Sequence, residues 1–343
     1  MRLPLRFLGV FSSAGLFASV STISVIAQSI SPPEMAAMQR EYRRPPPRPI
    51  ENPALVELGR DLFFDPRLSA SGQTACSSCH FEELGWGMTD ARSRNDAGKL
   101  TSRKSQPLIG LGYATDASVG WDGRSPTLEA QAKSSIATGS MSMRETPSPV
   151  KVDIIEERIR SDVSYVAKFK VALPGASPNL DAIVKAIAEF ERTLEPGTAP
   201  FDRWVEGDAS AISETAKRGF VLFNNKGNCF ACHSGWRFTD DKFHDIGTTT
   251  TDPGRGRVEK DELMQFAFKT PTLRSVSVRP PYMHNSSEAT LYDVLKLYER
   301  GGIDRLSRSP LLQPIELTEQ ERQDLIAFME SLTGSAEVAQ AGR

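Results

Sequence analysis

Two five-residue stretches decide the fold of this chain: Cys-Ser-Ser-Cys-His at residues 76–80 and Cys-Phe-Ala-Cys-His at residues 229–233. Together they use all four cysteines, which are Cys76, Cys79, Cys229 and Cys232. This spacing is typical of covalent attachment of a c-type haem: both thiols bond to the haem, and the adjacent histidine becomes an axial ligand of the iron. The sequence therefore predicts two haem c groups, with His80 and His233 as the proximal iron ligands.

Four cysteines can also form a zinc site or two disulfides. A zinc site built on four thiolates does not need a histidine after each cysteine pair, and its pairs usually lie closer together in the sequence. The repeated pentad, with no cysteine left over, favours haem attachment.

The N-terminus resembles a secretory signal peptide. Arg2 and Arg6 precede an uncharged stretch at residues 7–27 that ends in small residues, and serines interrupt its apolar run. We therefore expect a signal peptide at 1–27, a periplasmic mature protein and no membrane anchor after cleavage. The formal net charge of −2 gives no indication of a nucleic-acid partner.

The chain has 343 residues and widely separated pentads, which together predict two domains. A similar stretch precedes each pentad, at residues 58–64 and 218–223. Both stretches read as an amphipathic helix with a glycine at a close contact, and a single domain holding both haems is less consistent with them. We expect a Pro/Arg-rich linker at 28–51, exposed and extended near residues 43–49, haem domains at 52–200 and 208–334, and a tail at 335–343.

Strand-like alternation is scarce, so the predicted fold class is mostly α, with two cytochrome c-like domains that each carry one haem. A helix is expected near residues 181–194 from its apolar face. The last helix should begin at Thr318, because Thr318 and Glu321 form a capping-box pattern before an apolar stripe.

Several further motifs occur in a fixed order with the pentads. They are Gly-Trp-Asp-Gly-Arg at 120–124, Thr-Leu-Glu-Ala-Gln-Ala at 127–132, Phe-His-Asp-Ile-Gly at 243–247, Lys-Thr-Pro-Thr-Leu-Arg at 269–274 and Pro-Tyr-Met-His-Asn at 281–285. In these motifs the chain resembles the bacterial dihaem cytochrome c peroxidase and MauG family over roughly residues 52–334. The resemblance implies a periplasmic protein whose two haems face the domain interface, one reacting with peroxide and the other storing or passing electrons.

The resemblance directs attention to Tyr298 as the second ligand of the C-terminal haem. Leu291, Val294, Leu295 and Tyr298 share one helical face, and Tyr298 stands where the family's peroxidases place a methionine. It resembles the tyrosine ligand of MauG, and a tyrosinate stabilises ferric iron. Two alternatives remain open: a buried tyrosine whose hydroxyl binds a carbonyl, and Met283 as the iron ligand.

The N-terminal haem is expected to keep an open coordination position. Family peroxidases that need reductive activation carry a displaceable histidine after the first pentad, and residues 81–119 contain none. This haem should therefore be five-coordinate unless a methionine reaches it. His244 and His284 are expected to be structural or to bind haem propionates.

The resemblance also assigns roles near the haems. Trp121 is expected between them as an electron route, the alternative being an ordinary core tryptophan, and Arg124 is expected to pair with a haem propionate. The family's acid/base glutamate follows the tryptophan by some twenty residues, where this chain has Met141. Either a short insertion makes Glu145 the acid/base group, or the glutamate is absent and Met141 or Met143 could close the first haem.

Calcium is a further open question. The family binds Ca²⁺ between its domains through an asparagine side chain and nearby carbonyls, and Lys104 stands at the position of that asparagine. An ammonium cannot ligate a cation, although it could occupy the site and satisfy the same carbonyls.

The first hypothesis for function is a periplasmic dihaem peroxidase that reduces H2O2 at the N-terminal haem. Its electrons would come through the C-terminal haem from a small cytochrome c or cupredoxin. The alternative is a MauG-like oxidase that modifies Trp or Tyr residues of a partner protein through a high-valent dihaem state. A non-enzymatic electron-transfer cytochrome is a third reading, which requires a methionine on the first haem.

Overall fold

The structure is a computed structural model that describes residues 31–114, 118–142 and 152–334. The expected signal peptide at 1–27, the expected tail at 335–343, Met143 and Glu145 lie outside these residues.

The described chain is mostly helical, which confirms the predicted fold class. Its α-helices are α1 Pro32–Glu41, α2 Pro53–Phe63, α3 Leu128–Ala137, α4 Val152–Arg160, α5 Val163–Ala172, α6 Leu180–Arg192, α7 Pro200–Val205, α8 Glu214–Asn224, α9 Gly256–Glu259, α10 Leu291–Arg300 and α11 Glu319–Glu330. Strand β1 (Phe243–His244) pairs antiparallel with β2 (Phe268–Lys269), Phe243 opposite Lys269.

The first hydrophobic core forms where α2 crosses α6. Gly59 of α2 is in direct backbone contact with α6, since a Cβ there would lie 1.9 Å from the Ala186 carbonyl oxygen. Ile183, Ile187 and Phe190 line the buried face of α6. The helix expected at 181–194 is thus confirmed, beginning one residue earlier and ending two residues earlier than predicted.

The second core repeats this arrangement with α8 and α11. A Cβ on Gly219 would lie 1.9 Å from the Asp324 carbonyl oxygen, so the two helices meet as α2 and α6 do. The capping box of α11 is also confirmed: the Thr318 hydroxyl accepts from the Glu321 N–H at 3.2 Å, and the Thr318 N–H donates to the Glu321 carboxylate at 2.7 Å. The glycine contacts predicted before each pentad are therefore both present.

The N-terminal segment is attached to the second core, which the sequence did not predict. Helix α1 leads to Tyr42, which is 2% exposed, stacks on Phe238 and donates its hydroxyl hydrogen to Asn224 Oδ1 at 2.6 Å. Residues 43–49 then run without helix or strand and are mostly exposed, as expected, although Arg44 forms an ion pair with Glu195 at 3.3 Å.

The two cores divide the chain near α7. The first core draws on residues 55–194, and the second on residues 201–332 together with Tyr42. Because Phe201 and Trp204 of α7 belong to the second core, we propose that the second domain begins close to Pro200 rather than at residue 208. No helix in the described ranges is long and apolar enough to span a membrane.

Charged contacts join the two halves of the chain. Arg103 donates two hydrogen bonds of 2.7 Å to Asp252 and lies 2.8 Å from Asp122. Arg255 donates to the backbone carbonyl oxygens of Asp122 and Gly123 at 3.1 and 2.7 Å. These contacts hold the 120–124 motif against the C-terminal half of the chain.

Candidate functional site

Both pentads adopt the same local structure. Each begins with a short 3₁₀ turn, Cys76–Ser78 in the first and Cys229–Ala231 in the second. The His80 N–H donates to the Cys76 carbonyl at 3.1 Å, and the His233 N–H donates to the Cys229 carbonyl at 2.9 Å. The turn directs two thiols and one imidazole of each pentad into a common space.

That space is a separate cavity for each pentad. The first cavity, of about 380 Å³, is lined by Cys76, Cys79 and His80. The second cavity, of about 200 Å³, is lined by Cys229, Cys232 and His233. Each pentad therefore has its own chamber.

Each pentad histidine is held in the tautomer that an iron ligand needs. His80 Nδ1–H donates to the Trp86 carbonyl at 3.0 Å, and His233 Nδ1–H donates to the Phe238 carbonyl at 2.8 Å. Trp86 and Phe238 have φ values of +57° and +55°, a left-handed conformation that is unusual for aromatic residues. Burial also lowers the pKa of both imidazoles, which favours the neutral form with a free lone pair on Nε2.

This donor set fits two haem c groups better than zinc or disulfides. All four thiols are unpaired, and the two cysteine pairs face different cavities. Within the described ranges, the one group of three candidate metal ligands is Cys232, Asp240 and His244, which does not bring the cysteine pairs together.

Helix α10 presents Tyr298 to the second cavity. All four residues of the predicted stripe, Leu291, Val294, Leu295 and Tyr298, line the cavity that contains His233. Thr290 caps the helix by accepting from the Asp293 N–H at 3.1 Å.

The Tyr298 hydroxyl makes no hydrogen bond to any described residue, and the side chain lies on the wall of the second cavity. Burial raises the pKa of Tyr298, so the hydroxyl stays protonated unless a metal cation takes the place of its proton. The alternative for Tyr298 was a hydrogen bond from its hydroxyl to a backbone carbonyl. Among the described residues, no carbonyl accepts that hydrogen.

Met283, His244 and His284 line the same cavity as Tyr298. His244 lies 2.8 Å from an Asp240 carboxylate oxygen and 3.2 Å from the Ser309 hydroxyl, and both contacts fix its ring. The His284 ring stacks on Phe268 with a centroid separation of 3.6 Å, and its buried Nε2 has no partner among the described residues. Because Met283 lines the cavity that contains His233, it remains an alternative to Tyr298 as the second ligand of the C-terminal haem iron.

Trp121 is the aromatic residue that the described structure places on the wall of both cavities. Its Nε1–H donates to the Lys104 carbonyl at 2.7 Å, and its own carbonyl accepts from the Lys269 N–H at 2.8 Å. The His284 ring packs edge-on against the indole, with ring centroids 6.3 Å apart. The indole is thus fixed at the junction of the two chambers.

Arg124 lies at the wall of the first cavity, but its guanidinium is engaged by Asp122. Arg124 Nε and Nη2 donate to the two Asp122 carboxylate oxygens at 2.9 and 2.5 Å. Its pairing with a haem propionate stays a prediction, which requires this contact to be shared or exchanged.

The first cavity contains no histidine other than His80 in its described lining. Gln131 and Ser135 supply polar side chains to this lining, and Met141 is 4% exposed. Glu145 lies outside the described residues, so its acid/base role stays a prediction.

Glu191 is a cavity residue that the sequence reasoning missed. It lines the first cavity at 8% exposure. The other described acids there are ion-paired, Asp122 to arginines and Asp241 to Arg237, whereas Glu191 makes no ion pair with a described residue. Burial raises the pKa of Glu191 to about 8, so the carboxyl is protonated at neutral pH. A glutamate four residues after Ile187, on the apolar face of α6, was the signal that could have found it.

Comparisons with known proteins agree with this geometry. Residues 53–210 match the family model described as di-haem cytochrome c peroxidase, and residues 216–333 match the cytochrome c model. The chain is 42% identical to the methylamine utilization protein MauG of Methylorubrum extorquens, a match that covers 87% of this chain and 85% of the relative.

More distant relatives share the same organisation. The cytochrome-c peroxidase IdrP1 of Denitromonas iodatirespirans is 35% identical, with 84% of this chain and 85% of the relative covered. Among solved structures, a MauG-like protein associated with microbial copper homeostasis superimposes with a TM-score of 0.76 at 26% identity, covering 88% of this chain and 97% of that one.

Proposed function

Because this chain belongs to the di-haem cytochrome c peroxidase and MauG family, we propose that it couples H2O2 reduction at the His80 site to electron withdrawal through the His233 site. As a member of this family, the chain is a haem oxidoreductase with two haem c groups. The proposal assigns Cys76 and Cys79 to one haem and Cys229 and Cys232 to the other. In each chamber the histidine Nε2, left free by the Nδ1 hydrogen bond, would hold the iron.

Bound haem supplies an iron that cleaves peroxide and a macrocycle that exchanges electrons. In the first chamber, the Trp86 carbonyl orients His80, and the described lining contains no second histidine that could also bind the iron. One H2O2 takes up two electrons and two protons to give two waters. Glu191, protonated at neutral pH, and Glu145 are the carboxyl groups that we propose to move these protons.

Electrons reach the first chamber through Trp121 in this proposal. The indole borders both cavities, and its hydrogen bond to the Lys104 carbonyl keeps it in place. A rigid aromatic side chain on the wall of both cavities would provide a short route between haems held there.

The electron source is a protein partner whose Trp or Tyr side chains are oxidised, as in a MauG-type oxidase. The observation that carries this choice is Tyr298, which shares the second cavity with His233 and has no other described partner. An anionic oxygen ligand stabilises ferric iron and disfavours the ferrous form that a conventional electron carrier needs. For each H2O2 consumed, the partner loses two electrons and two protons.

A conventional cytochrome-c peroxidase is the second candidate, which the sequence alone placed first. A relative with that name is 35% identical to this chain over the aligned residues. In this candidate, Met283 or another group binds the second iron, and a small cytochrome c or cupredoxin supplies the electrons. For either candidate we propose a periplasmic location, which rests on the signal-peptide pattern at 1–27.

Turnover with ferrous cytochrome c separates the two candidates. With H2O2 in excess, the oxidase proposal predicts turnover well below about 1 s⁻¹, under the usual range of about 1–1000 s⁻¹ for enzymes. Tyr298→Met, which restores the methionine of the family's peroxidases, should raise this rate. Wild-type turnover of tens per second that Tyr298→Met leaves unchanged would contradict the oxidase assignment.

A further inference from the structure

Lys104 is a buried lysine that connects the two halves of the molecule. Its residue is 6% exposed, and its ammonium donates to the Arg279 carbonyl at 2.9 Å and to the Pro281 carbonyl at 2.6 Å. Its backbone N–H donates to the His284 carbonyl at 2.9 Å, and its own carbonyl accepts from Trp121. One residue therefore joins the loop beside the first cavity, the indole and the segment at 279–284.

Converging carbonyl oxygens of this kind are ligands that a hard cation prefers. The resemblance to the family implies a calcium ion between the domains, held by an asparagine and by carbonyls near the motif at 281–285. Lys104 replaces the asparagine, and its ammonium already donates to the Arg279 and Pro281 carbonyls. A cation-ligating oxygen is thus replaced by a positive charge, so these residues do not fit calcium.

The ammonium is charged at neutral pH despite its environment. Burial, assisted by the positive charge of Arg279, lowers the pKa of Lys104 to about 8, while Asp90 acts in the opposite direction. The Arg279 guanidinium has its own partners, since it donates to the carbonyl oxygens of Arg274 and Thr272 at 2.6 and 2.7 Å. The charge of Lys104 is balanced mainly by the carbonyl dipoles that it contacts.

We propose that the Lys104 ammonium takes the place of a divalent cation between the domains, so that the relative position of the two haem sites does not depend on calcium. The ammonium supplies the hydrogen bonds that keep the 279–284 segment against the loop of Lys104. Through the Lys104 carbonyl, the same residue fixes Trp121 at the junction of the cavities. This proposal holds whichever electron donor the enzyme uses.

The test compares the holoprotein, with both haems attached, in CaCl2 and in EGTA. Wild-type protein should contain no stoichiometric calcium by metal analysis, and its melting temperature should differ by less than about 1 °C between the two conditions. Lys104→Met should melt about 5 °C lower or more in both conditions, because two buried carbonyls lose their donor. Lys104→Asn should melt at a lower temperature than the wild type in EGTA. In CaCl2 its melting temperature and its ferric absorption spectrum should return to those of the wild type.

Lys99→Met, which removes an exposed lysine near the same loop, is the matched control and should melt like the wild type. Calcium bound to the wild type at about one ion per chain, with a loss of melting temperature in EGTA, would overturn the proposal. So would a Lys104→Met protein as stable as the wild type, or a Lys104→Asn protein that calcium does not stabilise. The measurement on the wild type decides the question even where a variant fails to fold.

Discussion

At the scale of single residues, Trp121 connects the two cavities. It borders both cavities, and its ring nitrogen and its carbonyl are both hydrogen-bonded, to Lys104 and Lys269. An ordinary core tryptophan would also hydrogen-bond its ring N–H, but it has no need to border two cavities. The arrangement favours a role in electron exchange over packing alone.

Replacing Trp121 with Phe should slow electron exchange between the two haem sites while both haems stay attached. We expect the rate to fall by about tenfold or more, which corresponds to a barrier higher by about 1.4 kcal/mol. Stopped-flow spectroscopy after peroxide addition measures this rate, and haem content is measured alongside.

Trp204→Phe is the control for this experiment, because Trp204 is buried in the second core and lines neither cavity. A merely structural indole at position 121 would lower the melting temperature as Trp204→Phe does and leave the exchange rate unchanged. That result would remove Trp121 from the electron route.

Some site residues could be predicted from the sequence, and others could not. Tyr298 was found because helical periodicity places it on one face with Leu291 and Leu295, and all three line the cavity. Glu191 was missed because an acidic residue in a helix normally faces solvent, although its position four residues after Ile187 places it on the buried face of α6. The carbonyls that orient His80 and His233 belong to Trp86 and Phe238, which have left-handed φ values. Aromatic residues rarely adopt this conformation, so the sequence does not predict it.

At the scale of secondary-structure elements, the same helix pair is built twice. The α2–α6 pair and the α8–α11 pair each meet at a glycine of the helix before the pentad, Gly59 or Gly219. Each pentad turn follows its first helix, so the angle of that pair determines where the thiols and the histidine lie. The glycines are therefore part of the support of the haem sites.

Gly59→Ala and Gly219→Ala should each destabilise the protein by about 3 kcal/mol, because overpacking forces the helices apart. Chemical denaturation of the holoprotein measures this change. Glu57→Ala, at an exposed position of α2, should stay within about 0.5 kcal/mol of the wild type.

A Gly59→Ala protein as stable as the Glu57→Ala control would contradict the close helix contact. The glycine contacts and the Thr318 cap were predicted because each has a local sequence signal. These signals are a glycine in the helix before each pentad and the capping-box pattern. It did not foresee α1 or the burial of Tyr42, since one aromatic residue in a polar stretch has no periodicity to identify its face.

At the scale of the whole molecule, polar contacts join two separately packed cores. Arg103 with Asp252, and Lys104 with the Arg279 and Pro281 carbonyls, connect segments far apart in the sequence. Such pairings follow from the relative placement of two domains. The sequence could therefore predict two haem domains, but not which lysine and arginine side chains would join them.

The proposed function requires one open iron in the first chamber and one closed iron in the second. Low-temperature EPR of the diferric protein, recorded before and after one equivalent of H2O2, examines both irons in one sample. We predict a high-spin signal beside a low-spin signal, loss of the high-spin signal on peroxide addition, and a changed low-spin signal in Tyr298→Phe. Two low-spin signals that do not change on peroxide addition, even after partial reduction, would contradict the proposed function. They would identify a protein that only carries electrons.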